Sequence, residues 1–440
     1  MKNETQKHFG KLIFSESRKE IENIWLEIHG DKISVRIPKG QDIKEVGGVI
    51  WGEFNSLGIV SLLDCWMGKF NSGFGGNEIE IIVHKLIQGV KLLSNHENFI
   101  TNVTLSCPTL NHWLNSGKSI KIEGPQVIIP TKEKIEYIET EGFVIEIISH
   151  YPKSYSATNL SIQRQVSLLV SFKTSLNIFD YYMWKKKLEK LIVYLTNQDP
   201  TIKTENFNKS TSKIYGIDSE WQAQKFYHSI DFDFSEIKIN FPEIIKSWFD
   251  KPKLDSVINL ISEKKLNTQL SNARYFLNMC VAIESFHEDF ICKKPPLIDD
   301  SILENIDKIN QLLKVDEELS KWFKEKSKFW KKPTLIDRLF YFKDELQAIT
   351  TGVFKISTDD LLRKMKSTRD SLAHKGKSNA HFKNEISLFI AAYSLEILLK
   401  YNMLKILGMN NPEALKSYLN NATEIISHYA DINSYKGMEP

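Results

Sequence analysis

Arg369-Asp370-Ser371-Leu372-Ala373-His374 couples an arginine to a histidine five residues further along the chain. Arginine is scarce here, 7 among the 58 basic residues, and Arg369 alone is followed by a histidine within four to six positions. A guanidinium presents a rigid fork of donors that matches a phosphate, which the point charge of a lysine does not. An imidazole at a helix end, in a cationic surround, suits proton transfer near neutral pH. Between Arg363 and Lys383 the chain carries Arg363, Lys364, Lys366, Arg369, Lys375, Lys377 and Lys383 against the one acid Asp370. That local field favours a polyanion although the formal net charge of the whole chain is only +3. A solvated helix face followed by a lysine-rich loop accounts for the same charges equally well.

The segment reads as a helix over 359–375. Ser357 with Asp360 supplies its N-cap and Gly376 a left-handed stop. Leu361, Met365 and Leu372 form its apolar stripe, and Arg369 falls between the last two. An arginine there faces the bundle or a partner subunit, or it snorkels from the stripe with its stem buried. His374 lies about 140° round the helix from Arg369, so an ideal helix keeps the two side chains apart. The separation closes if the helix frays near Gly376, or if the site combines two subunits across a symmetry axis.

Outward from this helix the period stays helical. Ala273, Phe276, Cys280, Ile283, His287 and Phe290 make one stripe, which places His287 as a core histidine. Thr334 and Asp337 resemble a capping box, continued by Leu335, Leu339, Phe342 and Leu346. Ile386, Phe389, Ile390, Tyr393, Ile397, Tyr401 and Leu404 form a third stripe, ended by Gly408 and Pro412. Charged residues inside it, Glu396, Lys400 and Lys405, mark a buried helix and not a membrane span. Up to about residue 175 the period is two instead, as in Asn23–His29, Val49–Phe54, Glu78–Val83, Phe143–His150 and Leu160–Phe172. A helix over 178–195 closes this half, and Ser235–Asn240 looks strand-like. The fold class is therefore α+β. An antiparallel β-rich domain, sandwich or distorted barrel, occupies 1–195; a mixed connector, 196–250; an all-α bundle, 251–440.

With 42% apolar residues in 440, the chain is long enough for separate cores. The amino terminus lacks the apolar run of a secretory signal, and Cys65, Cys107, Cys280 and Cys292 lack zinc spacing. A cytoplasmic, reduced protein without metal or cofactor is the expectation.

Three segments together carry a family resemblance. The basic helix with RDSLAH, the preceding Ala282-Ile283-Glu284-Ser285-Phe286-His287, and the apolar helix after a short lysine loop resemble a HEPN ribonuclease domain. Val49-Ile50-Trp51-Gly52-Glu53 and Leu110-Asn111-His112-Trp113-Leu114, whose tryptophans are expected in the core, resemble the amino-terminal domain of the ApeA group of anti-phage HEPN proteins. Some HEPN toxins carry a tyrosine two residues after the histidine; Gly376 stands there. The resemblance implies a metal-independent endoribonuclease, a homodimer through its HEPN domain. Arg369 would hold the scissile phosphate and His374 would act as general acid or base. Asp370 and Glu284 would support them, and Lys366, Lys375 and Lys377 would contact RNA. It further implies host RNA, tRNA first, as substrate, and a phage-derived trigger, a protein, sensed by the β domain. A noncatalytic dimer binding RNA or nucleotide uses the same charges, with the β domain recruiting a partner. A carbohydrate-binding sandwich with a helical tail rests on exposed aromatics alone.

Overall fold

The computed structural model describes residues 5–432 apart from 15–16, 18, 30–31, 39–40, 42, 44–45, 47–48, 74–75, 115–120, 124–125, 129–132, 152, 156–159, 163–164, 197–201, 209–212, 217–233, 267–268, 292–299, 331–332, 355, 375–380 and 383. It forms two compact units, Met1–Ser235 and Glu236–Pro440.

In the first unit β1 (Gln6–Phe14), β2 (Glu20–His29), β3 (Lys32–Pro38), β4 (Ile50–Phe54), β5 (Gly58–Gly73) and β6 (Gly76–Gln88) run antiparallel to their neighbours. They pair in the order β6-β3-β2-β1-β4-β5, and β5 pairs again with β6. The ring is thereby closed into a barrel. Alternate residues fill it, among them Leu26, Val35, Ile50, Leu62, Ile81 and Leu86, all fully buried. In β2 the inward residues Ile21 and Ile24 are three apart and not two. Asn23, at φ 61°, and a register slip between Gly10 and Leu12 reset the phase there, as a bulge does.

A second sheet follows, built from β7 (Ile100–Ser106), β10 (Glu133–Glu139), β11 (Phe143–His150) and β14 (Gln165–Leu176); between them in the chain lie α1 (Pro108–Trp113) and two separate hairpins, β8 (Lys121–Glu123) with β9 (Gln126–Ile128) and β12 (Lys153–Tyr155) with β13 (Leu160–Ile162). α2 (Ile178–Thr196) covers it, with the Trp184 ring edge-on to Phe172 and Phe143 at 5.1 and 5.3 Å. β15 (Lys203–Phe207) completes the sheet order β10-β11-β14-β7-β15, and β16 (Ile214–Gly216) pairs with β6 of the barrel. Residues 196–250, read from sequence as a connector, thus divide among the described residues: β15 and β16 join the sheets, and 234–250 are mainly helical. Trp113 is buried against Phe234 as expected. Trp51 is not a core residue; it is half-buried, with the Lys91 ammonium 3.9 Å above its ring and its indole N–H on the Leu92 carbonyl.

The strand-like Ser235–Asn240 is instead the short helix α3 (Phe234–Ile237) and a turn. Ile237 is buried while Ile239 is 89% exposed, because residues two apart lie on opposite sides of a helical turn. Then come α4 (Phe241–Asp250), α5 (Leu254–Leu266), α6 (Asn272–Phe286) with a π-helical turn His287–Ile291, α7 (Asp300–Leu312), α8 (Glu317–Trp330), α9 (Leu335–Tyr341), α10 (Lys343–Thr350), α11 (Thr358–Ala373), α12 (Glu385–Ile406) and α13 (Pro412–Ile432). α6 packs along α12 and α5, and α11 lies on α6, α9 and α10. The capping box forms: Thr334 donates its backbone N–H and its hydroxyl to the Asp337 carboxylate at 2.8 and 2.6 Å. The stripe from Leu335 to Leu346 is buried throughout, although the helix breaks at Phe342. α12 is long and apolar enough to cross a membrane, yet 78% of its apolar window is buried inside the protein.

Candidate active site

α11 starts where its cap predicts, with the Ser357 hydroxyl accepting the Asp360 N–H at 3.1 Å. It buries Leu361, Leu362, Met365 and Thr368 against its neighbours. Arg369 follows Thr368, so it emerges at the rim of this interface with its side chain 27% exposed. Glu284 holds the equivalent place on α6, next to the fully buried Ile283 and one turn beyond the fully buried Cys280. The rims meet. Arg369 Nη2 donates to both Glu284 carboxylate oxygens, at 3.2 and 3.3 Å, and its Nη1 to Asp370 Oδ1 at 3.2 Å. Lys366 Nζ lies 2.9 Å from Asp370, one turn earlier on the same helix. Lys366, Asp370, Arg369 and Glu284 form a chain of alternating charge.

Partial burial works against the charged form of Arg369, but the Glu284 and Asp370 carboxylates outweigh it and raise its pKa. Burial likewise disfavours the Asp370 carboxylate, and Lys366 with Arg369 reverses this and holds it below its usual range. Both groups stay ionised at neutral pH. The Arg369 Nε–H has no partner among the described residues, so the fork retains donor capacity for an anion.

The helix ends at Ala373, two residues before the expected Lys375, and His374 takes non-helical angles of φ −117° and ψ 20°. Its N–H still donates to the Asp370 carbonyl at 3.0 Å, while its side chain is exposed and makes no hydrogen bond to the described residues. Arg369 and His374 are therefore neighbours on one helix end without direct contact within one chain. Lys375, Gly376 and Lys377 lie outside the described residues. Lys366, expected to face RNA, is exposed enough to do so but is engaged by Asp370.

Two residues absent from the sequence-based site belong to its frame. Thr368, fully buried, accepts the backbone N–H groups of His381 and Phe382 at 3.1 and 3.3 Å. It thereby fastens the return of the chain beside Arg369. Its position between Met365 and Leu372 in the stripe was the available signal. Arg338 on α9 donates to the Glu284 carbonyl, and nothing in its local sequence marks it.

Residues 277–413, which hold all of these groups, match the family described as Apea-like HEPN, and residues 2–248 match the one described as ApeA N-terminal domain 1. No curated protein and no solved structure matches the chain. HEPN domains are generally ribonucleases, so the first match supports a nuclease, and the two together support an anti-phage HEPN effector. The longer match alone takes in more than half of the 440 residues. By its barrel-bearing amino-terminal domain, its helical carboxy-terminal half and these matches, the protein belongs to the ApeA-like HEPN family.

Proposed function

We propose that the protein is a metal-independent endoribonuclease whose reacting groups are Arg369 and His374. The supporting observation is the Arg369 guanidinium, held at a rim by Glu284 and Asp370, with an exposed imidazole released from the same helix end. A guanidinium fixed on one side by carboxylates and open on the other is pre-oriented to take a phosphate without first losing side-chain entropy. His374 removes the proton of a ribose 2′-hydroxyl. The 2′-oxygen then forms a bond to phosphorus as the bond to the 5′-oxygen breaks, and that oxygen takes up a proton. The products are a 2′,3′-cyclic phosphate and a 5′-hydroxyl. Arg369 stabilises the charge that grows on the non-bridging oxygens. DNA, lacking the 2′-hydroxyl, is not cut.

The physiological reading is an abortive-infection effector in the cytoplasm. A phage-derived protein engages the first unit, the HEPN unit acts as a homodimer, and host RNA, tRNA foremost, is cleaved. Glu284 and Asp370 orient Arg369, and Lys366, Lys375 and Lys377 contact the RNA backbone. In a dimer the His374 of one subunit can serve the Arg369 of the other, which the missing contact within one chain favours.

The test is incubation of wild type and His374→Ala with total cellular RNA in EDTA, followed by mapping of the new ends. Wild type should leave cyclic phosphates, and the variant should lose about 10²–10⁴ in rate while still binding RNA. Equal behaviour of the two, in the tube and in infected cells, identifies a binding protein instead.

A further inference from the structure

Arg338 is nearly fully buried, its side chain 6% exposed, and its three donor atoms are spent on unusual partners. Nε donates to the Pro333 carbonyl at 3.1 Å, Nη1 to the Glu284 carbonyl, and Nη2 to the Glu288 carboxylate at 3.4 Å. Two of the three are backbone oxygens, and the one carboxylate is distant and 54% exposed. A buried guanidinium compensated this weakly costs stability that an apolar residue of similar volume would not. Its geometry is better explained by what it holds.

Glu284 is gripped at both ends, its carbonyl by Arg338 and its carboxylate by Arg369. The grip falls where α6 gives way to the π-helical turn at His287, whose N–H is shared between the Ile283 and Glu284 carbonyls. A change from α to π geometry leaves the local carbonyl ladder irregular, and such turns are frequent at functional sites. Without an external donor the Glu284 backbone would be free to settle into either register, and its carboxylate would swing relative to α11.

We infer that Arg338 is a positioning residue: by clasping the Glu284 carbonyl at the α/π junction it sets the direction from which the Glu284 carboxylate meets Arg369. α9, α6 and α11 are thereby joined through one residue, and a displacement of α9 changes the orientation of the Arg369 fork. This rests on the ribonuclease reading for its catalytic consequence, but the coupling itself does not.

The experiment uses the full chain as wild type, Arg338→Lys, Glu284→Gln and the double variant. In cleavage assays each single variant should lower kcat about tenfold with KM nearly unchanged, as expected for a misaligned group. The double variant should be no slower than the slower single one, because Arg338 acts through Glu284. Additive losses, or wild-type kcat in Arg338→Lys, overturn the inference. The second readout needs no activity. With seven arginines in the chain, the arginine Nε–H NMR spectrum is sparse, and Arg369→Lys identifies the Arg369 signal. Arg338→Lys should shift that signal, and it should shift no further when Glu284→Gln is already present. An unmoved signal overturns the coupling even if wild type cleaves nothing, whereas a coupled signal with no cleavage faults the ribonuclease reading alone. If Arg338→Lys does not fold, Arg338→Met, of similar volume and without charge, takes its place under the same criteria.

Discussion

His287 opens the π-helical turn, fully buried, with its ring edge-on to Tyr341 and Phe342 at 5.2 and 6.0 Å and both ring nitrogens without a hydrogen-bond partner among the described residues. Burial, aided by the nearby Arg338 charge, pushes its pKa down from 6.5 to about 4. Unfolded, the imidazole takes a proton below 6.5; folded, it does not until about 4. Its contribution to stability is therefore complete above 6.5 and is lost as the pH falls from there toward 4. His287→Phe should flatten that part of the curve, and urea midpoints at several pH values would show it; an unchanged slope would place the titration elsewhere. Asp370 acts at lower pH. Its depressed pKa means that its ion pairs are intact above the usual carboxylate range and are lost as the pH falls through the depressed value. Arg369→Lys removes the fork that serves Glu284 and Asp370 together. It should cost about 10²–10³ in kcat with little change in melting temperature, which steady-state kinetics beside calorimetry would establish.

At the scale of elements, α11 owes its place to Thr368 as much as to its leucines. The Thr368 hydroxyl is the acceptor for two backbone N–H groups, and Phe382, one of the donors, is buried with its ring 6.1 Å from those of Phe276 and Phe354. Thr368→Val keeps the shape and leaves both donors unmade, so it should destabilise by about 1–3 kcal/mol. Thr368→Ser keeps the acceptor and should lose much less; equal losses in urea titrations would mean that packing, not hydrogen bonding, holds the return segment. The capping box of α9 is a smaller effect, and Asp337→Ala should cost about 1 kcal/mol. Because α9 also carries Arg338, that loss of order should reach the Arg369 site.

At the scale of the whole molecule, each unit has its own core, and the two respond to different changes. Inside the barrel β1 and β4 approach tightly, and a Cβ on Gly10 would sit 2.1 Å from the Glu53 carbonyl oxygen. Gly10→Ala should destabilise the first unit by about 1–3 kcal/mol. Gly142→Ala, with nothing within 4 Å, should not, and circular dichroism melts of the two variants would compare them directly. Residues 236–440 expressed alone should fold on their own core and cleave RNA without a trigger if the first unit restrains them; a folded, silent fragment beside an active full chain would argue against restraint. Sequence by itself determined what depends on a few consecutive residues. The switch from period two to helical period, the caps at Ser357 and Thr334, the helix bearing Arg369 and His374, and the burial of His287 were legible because each signal spans one or two turns. Strand β3 carries the same local signal, buried Ile33, Val35 and Ile37 in alternation, whereas β1, β5 and β7 have register slips in their ladders and their placement rests on pairing. Only the tertiary structure decided that β5 returns to β6 to close a barrel, that Glu284 meets Arg369 across 85 residues, and that Arg338 holds Glu284. Those contacts arise when helices and strands distant in the chain pack their apolar faces, and the polar groups at the rims are brought together by that packing rather than by any spacing along the chain.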